Sequence, residues 1–386
     1  MERKIYTILH TESSRGWGGQ ERRIILEGGA MRERGHRVLI ACDPEGELYE
    51  RARGTGFPVH ALPFGGLIQN FKSWQDLRRI SVQERVDILN THSSLDSWAG
   101  VLAWRTMKNH PALVRTRHLS TPVRQSWPTR WLYNQPAATI TTGVNIADLL
   151  HERLGIPQSR LFAIPTGVPL TEFTPRPAPP ELRAGLNLPP EAFIFGTLSV
   201  LRSWKGHLFA LEALKKVAAN HNCYLLIVGE GPYRPVIEER LAALNLKPRV
   251  RLAGHQERAA DWLALMDALV MPSYAHEGVP QAVLQAMAMA KPVVASSIGG
   301  IPEAVTPGST GLLVPPKDAD ALAQAMTMVL TDEALRNKMA QQGRAKVMQQ
   351  FSLERMAEQV EAVYDKVAGA DLRRLETRKH RLIRRV

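Results

Sequence analysis

Cysteine is nearly absent: Cys42 and Cys223 are the only two in 386 residues. That count excludes a disulfide-stapled scaffold and a zinc-finger protein, and it fits a reducing compartment. Long apolar runs are missing as well. No stretch approaches the roughly 18 uninterrupted apolar residues that span a bilayer. The opening Met1-Glu2-Arg3-Lys4-Ile5-Tyr6-Thr7-Ile8-Leu9-His10 has too short an apolar run for a secretory leader and reads as a strand that begins almost at once. There is no internal repeat of about 20–50 residues. There is also no zinc-finger, RNA-recognition or basic-zipper pattern. What remains is ordinary for a folded chain: 44% hydrophobic and 22% charged residues. A disordered tail protein, a collagen and a coiled coil are thereby excluded. The length suggests two or three domains at roughly 100–200 residues each. A cytoplasmic protein is expected, either soluble or peripheral at the inner face of the cytoplasmic membrane.

Acidic residues are outnumbered, 37 against 49 basic, for a net charge of +12. The excess is uneven. Residues 1–175 carry 22 basic and 16 acidic residues, 176–370 carry 20 and 19, and 371–386 carry 7 and 2. Three partners suit such a surface: phosphorylated ligands, an anionic membrane surface or nucleic acid. Nucleic acid is the weakest of them, for want of a motif. The basic tail from Arg373 to Arg385 fits either an anionic leaflet, at about 1 kcal/mol per basic residue, or a solvated terminus.

Strand-like apolar runs alternate with helical patterns along the whole chain. In the first half the strands are expected at 5–10, 37–41, 59–62, 86–90, 113–116, 138–141 and 161–164. A proline-dense stretch, Thr174-Pro175-Arg176-Pro177-Ala178-Pro179-Pro180, reads as a linker. The alternation then restarts, with strands expected at 193–198, 223–228, 249–253, 268–271, 292–296 and 311–314. From Asp332 the chain is helical, with 351–367 as the last strong pattern. Such alternation implies parallel sheets with right-handed crossovers, and continuous apolar strands imply helices on both faces. The expected architecture is therefore α/β: two doubly wound, Rossmann-like parallel-sheet domains at 1–175 and 176–350 facing across a cleft. A C-terminal segment, 351–386, is expected to pack back toward the first domain and to end in the basic tail. Ligands in such sheets bind beyond the carboxyl ends of the strands.

The loops at those ends carry the candidate chemistry. Ser13-Ser14-Arg15-Gly16-Trp17-Gly18-Gly19-Gln20-Glu21 joins the first strand to a helix. Glycines let backbone amides approach an anion at a helix start; a tight turn without a ligand explains them too. The run is not G-x-G-x-x-G, which disfavours a dinucleotide fold. His92 follows the strand 86–90, either facing the cleft or standing by while Ser93 or Ser94 caps a helix. Arg202 and Lys205 lie between a strand end and a helix start, where a guanidinium fork and a point charge suit a diphosphate. Solvated surface cations are the alternative. Gly229-Glu230-Gly231-Pro232 ends another strand and suits close approach of a base or ribose, or simple turn chemistry. The most informative block is Glu277-Gly278-Val279-Pro280, in which Pro280 is expected to be the first residue of a helix that carries Gln285 about one and a half turns in.

Taken together, these elements resemble the retaining glycosyltransferases of family 4, which have the GT-B fold. The resemblance runs through Gly18-Gly19 with Glu21, Arg202 and Lys205-Gly206, Gly229-Glu230-Gly231-Pro232, Glu277-Gly278-Val279-Pro280, Gly299-Gly300-Ile301-Pro302-Glu303 and Gly311-Leu312-Leu313-Val314-Pro315-Pro316. It implies transfer of a sugar from a nucleoside-diphosphate donor to a glycan or lipid-linked acceptor, in lipopolysaccharide or other cell-surface glycan synthesis. It assigns catalytic roles to Arg202, Lys205, Glu277 and His92. It assigns donor binding to Gly18, Gly19, Gly229, Gly231, Gly278, Val279, Pro280 and Gln285. No metal or other cofactor is expected. One position departs from the family pattern: Gln285 stands where relatives carry a second glutamate that accepts hydrogen bonds from the ribose. Gln still accepts, without charge. An epimerase on the same fold, a non-catalytic sugar-nucleotide binder and a nucleic-acid binder are the competing readings. Aromatic and cationic residues in the first half, from Phe64 to Trp74 and from Arg115 to Trp131, suit an interfacial surface or ordinary loop packing.

Overall fold

The computed structural model describes the backbone of residues 4–65 and 67–383 and the side chains of 4–65 and 69–369. The basic residues from Arg373 onward, and Gly66 within the aromatic stretch, lie outside the described side chains. The chain forms two compact units, Met1–Gly167 with Leu353–Val386, and Val168–Ser352.

The first unit is a seven-stranded parallel sheet. Its strands are β1 (Thr7–Glu12), β2 (Arg37–Cys42), β3 (Val59–Ala61), β4 (Ile88–Thr91), β5 (Ala112–Arg117), β6 (Ala138–Thr141) and β7 (Leu161–Ala163), in the order β3-β2-β1-β4-β5-β6-β7. Alternate residues of each strand serve opposite faces. Ile8, Ile40, Ile88, Val114 and Ile140 pack with Ile24 and Met31 of the helix Gly19–Glu33 and with Met356, Val360, Val363 and Tyr364 of the helix Leu353–Ile383. Their neighbours Leu9, Leu39, Leu89 and Leu113 pack with Leu77, Ile80, Ala99 and Ala103 on the other face. Each such side chain, fully buried, contributes about 1.5–3 kcal/mol.

Polar contacts clip the C-terminal helix onto this unit. Tyr364 donates to Glu27 Oε1 at 2.9 Å and accepts from Asn90 Nδ2 at 3.0 Å, all three being buried. Tyr6 donates to Asp365 at 2.7 Å, and Arg34 Nε donates to Glu361 at 2.8 Å.

The second unit is a six-stranded parallel sheet. Its strands are β8 (Phe193–Leu198), β9 (Cys223–Val228), β10 (Val250–Gly254), β11 (Ala268–Met271), β12 (Val293–Ser296) and β13 (Leu312–Val314), in the order β10-β9-β8-β11-β12-β13. Phe195, Leu225, Ile227, Val270 and Val294 face one helical layer, and Ile194, Leu226, Val228, Leu269 and Val293 face the other.

The unit boundaries differ from those expected. The first falls between Gly167 and Val168, not after 175. Val168 N–H donates to the carbonyl of Phe351 at 2.8 Å, and both Val168 and Phe173 join the core of the second unit. The proline-dense stretch therefore lies inside that unit, where Pro180 starts the short helix Pro180–Gly185. The second boundary falls between Ser352 and Leu353. Among the described residues no helix is long and apolar enough to cross a membrane.

Candidate functional site

In each sheet the strand order reverses once, between β1 and β4 in the first unit and between β8 and β11 in the second. Loops diverge at such a reversal and leave a crevice at the carboxyl ends.

In the second unit the loop after β8 meets the loop after β11. Ser203–Lys205 forms a single 3-10 turn, closed by Gly206 at φ +74°. A Cβ on Gly206 would lie 1.9 Å from the carbonyl oxygen of Pro272, so only glycine lets the two loops touch. This contact brings Lys205 to Glu277: Nζ and Oε1 are 2.6 Å apart, with the carboxylate side chain 5% exposed and the ammonium side chain 19%. Glu277 is braced from behind. Gly300 N–H donates to its carbonyl at 3.2 Å, and a Cβ on Gly299 would stand 2.2 Å from that same oxygen.

Arg202 is exposed at the same loop, its guanidinium 5.7 Å from the ring centre of Trp204, and it forms no ion pair among the described residues. The sequence offers Arg202 and Lys205 together as a cationic pair suited to a diphosphate. The structure pairs Lys205 with Glu277 and gives Arg202 no ion pair among the described residues.

Gly229 and Gly231 end β9, and the space a side chain would need there is filled by backbone: Ser199 O at 1.9 Å and Leu201 O at 2.4 Å. Loop packing thus accounts for both glycines. Pro280 is the N-cap of the helix Gln281–Ala288, one position earlier than expected, with extended backbone at φ −70°, ψ 130°. Gly278 and Val279 lead into that cap, and Gln285 is buried in the helix. Behind the crevice, His207 Nε2 is 3.2 Å from Ser199 Oγ. Burial, and then the charge of Lys205, hold this histidine down to about 4.

In the first unit Gly18 N–H donates to Glu21 Oε2 at 2.8 Å, so the helix Gly19–Glu33 caps itself and that amide is already committed. Gly19 has open space at its Cα. Glu12, at the end of β1, accepts from Ser14 N–H at 2.7 Å and from Gln20 and Ser93. Burial, and then the nearby Asp96 carboxylate, push Glu12 up to about 8. Asp96 accepts from Thr11 Oγ1 at 2.9 Å and from the His92 and Ser93 amides at 2.8 Å each.

His92 lies past β4, where the sequence placed it, but it is 3% exposed and both ring nitrogens are engaged. Nε2 is 2.9 Å from His10 Nδ1 and Nδ1 is 2.9 Å from His118 Nε2. A direct ring contact between His92 and a sugar is not available in this arrangement. His10, His118, Glu12 and Asp96 were not singled out from the sequence. One signal was present: a histidine directly follows both β4 and β5, at His92 and His118.

Two families match the chain. The one described as Glycosyltransferase Family 4 covers residues 17–172, and the one described as Glycosyl transferases group 1 covers 190–332. The chain belongs to the family 4 glycosyltransferases. Among its relatives, the Escherichia coli UDP-Gal:alpha-D-GlcNAc-diphosphoundecaprenol alpha-1,3-galactosyltransferase is 27% identical over 77% of this chain and 80% of its own. The lipopolysaccharide core biosynthesis glycosyltransferase LpsD of Rhizobium meliloti is 34% identical over 46% of this chain and 50% of its own. Among solved structures, a Rickettsia africae glycosyltransferase has a TM-score of 0.85 at 23% identity, covering 95% of this chain and 99% of its own. Anabaena HepE in complex with UDP-glucose has a TM-score of 0.82 at 20% identity, covering 94% and 100%. These two likenesses establish the GT-B fold.

Two further features of this glycosyltransferase bear on its chemistry. An Asp-x-Asp run occurs at Asp318-Ala319-Asp320, but Asp318 caps the helix Ala319–Thr331 through Ala321 N–H at 2.8 Å and Asp320 pairs with Lys216. Among the described residues no group of three or more His, Cys, Asp or Glu is placed to hold a metal ion. The aromatic and basic stretch of the first unit divides in two. Arg115 is buried, its guanidinium 3.9 Å from the ring centre of Tyr133, whereas Trp127 is 76% exposed, with Leu119, Arg124 and Arg130 also exposed.

Proposed function

We propose that this glycosyltransferase moves a sugar from a nucleoside-diphosphate donor to an acceptor hydroxyl with retention of the anomeric configuration, and without a metal or other cofactor. The observation that carries this reading is the convergence of Arg202, Lys205 and Glu277 at the strand-order reversal of the second unit. As the bond from the anomeric carbon to the diphosphate breaks, its electron pair passes to a β-phosphate oxygen. The acceptor oxygen bonds to the anomeric carbon, and the hydroxyl proton leaves with the phosphate. Arg202, which has no carboxylate partner among the described residues, and the amides opening the helix Gln281–Ala288 stabilise the growing charge. Preorganised donors of this kind are each worth roughly 2.7–4 kcal/mol of barrier. Glu277 orients Lys205 and accepts from sugar hydroxyls. Gln285 hydrogen-bonds the ribose.

The acceptor is a glycan or a lipid-linked sugar at the cytoplasmic face of the membrane, in lipopolysaccharide or glycolipid synthesis. Two relatives support this by name, one acting on a diphosphoundecaprenol-linked sugar and one on the lipopolysaccharide core. Trp127 and Leu119 beside Arg124 and Arg130 suit an anionic lipid surface. Purified protein incubated with UDP-, GDP- and ADP-sugars and lipid-linked acceptors tests the transfer. Product anomeric configuration, read by NMR, matches that of the donor. An inverted product refutes retention, and neither transfer nor donor hydrolysis with any donor refutes the transferase reading. Flotation with anionic vesicles at low salt tests the surface; protein left at the bottom of the gradient excludes it.

A further inference from the structure

A recess lies at the amino-terminal edge of the first sheet, at the opposite ends of the strands from the loops described above. Asp87 immediately precedes β4 and Ala112 opens β5, and both line it, together with Lys4 just ahead of β1. The helix Leu67–Gln83 contributes Arg78 and Ser81 to its wall, and the helix Ser94–Thr106 contributes Thr106. Its volume is about 680 Å³, within the roughly 300–1,000 Å³ of sites that hold small molecules. Every lining residue belongs to the first unit, Ala368 of the C-terminal helix included.

The lining is apolar where it is buried and basic where it is exposed. Val86, Met107 and Ala112 are buried. Lys4, Arg78, Arg85 and Lys108 are exposed, and none of the four forms an ion pair among the described residues. One carboxylate lines the recess, Asp87, and its Oδ2 accepts from Thr7 N–H at 2.8 Å. The nearby Glu84 is paired with Arg37. The carbonyl end of a helix attracts a cation, which accounts for a lone Lys or Arg here. It does not account for four that share one recess with a single carboxylate, since like charges repel. Arg85 sharpens the point. Its N–H donates to the carbonyl of Val82 at 3.3 Å, and Val86 N–H donates to the carbonyl of Ser81 at 3.0 Å. The helix therefore ends in a Schellman turn with Arg85, at φ +52°, in the left-handed position that glycine usually fills. The backbone N–H groups of Lys108, Asn109 and His110, also on the wall, have no acceptor among the described residues.

We propose that this recess binds a soluble small molecule carrying two or more phosphate groups, with Lys4, Arg78, Arg85 and Lys108 as its charge partners. The guanidinium groups grip phosphate oxygens as forks and the ammonium groups act as point charges. The apolar lining receives the body of the molecule. The site uses none of the residues assigned to sugar transfer and stands apart from that reading. A phosphorylated lipid headgroup offers the same chemistry. The soluble source is favoured because Leu119, on the surface suited to lipid, lies past the far end of β5, whose six residues span roughly 20 Å.

The test is calorimetric titration of inorganic pyrophosphate into the full-length Arg202→Ala protein, which lacks the cation proposed for the donor diphosphate. One saturable site is expected, and its absence overturns the proposal. Adding Arg78→Ala with Lys108→Ala is expected to weaken that site by at least roughly tenfold. Lys247→Ala with Lys338→Ala removes the same charge from exposed positions of the second unit and is expected to leave the affinity within about twofold. Equal weakening by the two pairs would mean diffuse surface charge and overturns the site. Arg85→Gly installs the residue that the left-handed backbone favours, so it is expected to keep or raise the melting temperature while weakening pyrophosphate several-fold. Unchanged affinity in Arg85→Gly refutes the contact with that side chain. Flotation with phosphatidylglycerol vesicles separates the two sources. Flotation that depends on Arg78 and Lys108, in a protein that does not bind pyrophosphate, overturns the soluble ligand. Wild type and Arg202→Ala binding pyrophosphate alike, with the site lost on changing Arg78 and Lys108, would leave the recess standing and remove the diphosphate role of Arg202 instead.

Discussion

Lys205 Nζ lies 2.6 Å from Glu277 Oε1, although the two residues are 72 positions apart. The contact joins the loop after β8 to the loop after β11, at the point where the strand order of the second unit reverses. It makes the carboxylate a partner of the cation before any ligand arrives. On the proposed reading, a diphosphate approaching this loop meets Arg202, which forms no ion pair among the described residues.

Breaking the pair from one side leaves a buried carboxylate without its cation. Lys205→Met is predicted to cost about 2 kcal/mol of stability in urea denaturation. Lys205→Met combined with Glu277→Gln is predicted to regain at least half of that loss, because neither side is then left charged. Simple additivity of the two single losses would show that the pair is not coupled. In turnover, Glu277→Gln is predicted to lower kcat more than it weakens nucleotide binding.

The loop contact itself depends on Gly206. Gly206→Ala is predicted to lose about 1–3 kcal/mol from its left-handed backbone and more from the 1.9 Å approach to Pro272. Gly155→Ala is the comparison: its φ is +69°, yet nothing lies within 4 Å of the added Cβ. Melting temperatures of the two variants separate backbone strain from collision. Equal shifts would mean that the loop yields without cost.

Glu12 gives a pH signature. It is an acid whose folded value is raised to about 8 from 4.5. Between those values the folded state binds a proton that the unfolded state has released, so this group's contribution to stability is greatest below about 4.5 and declines as pH rises to about 8. Glu12→Gln removes the titration. The stability of wild type relative to Glu12→Gln is predicted to fall across that window, read from denaturation midpoints at several pH values. A difference that does not vary with pH would show that Glu12 titrates normally.

Much of the fold was legible because its strands are buried on both faces. Runs such as Cys223–Val228 and Ala268–Met271 are apolar without interruption and bounded by polar turns. Short helices such as Glu47–Gly54 and Ala259–Leu265 escaped notice: two turns carry too little periodicity to stand out. The unit boundary was misplaced because prolines mark irregular chain, not the edge of a core, and Val168 and Phe173 reach the second core before the prolines begin. In the candidate site, residue type and order singled out Arg202, Lys205 and Glu277 as candidates. Their pairing was not legible, since a contact across 72 residues has no local signature. Nor was the commitment of both His92 nitrogens, which depends on two histidines from other strands.

The central claim is that a nucleoside diphosphate is held by the loop after β8. Calorimetric titration of wild type and Arg202→Ala with UDP, GDP and ADP tests it most directly. The account predicts that one of the three binds the wild type and that Arg202→Ala weakens it by at least roughly tenfold, about 1.4 kcal/mol. Equal affinity in the two proteins, or no binding of any of the three to wild type, would contradict it.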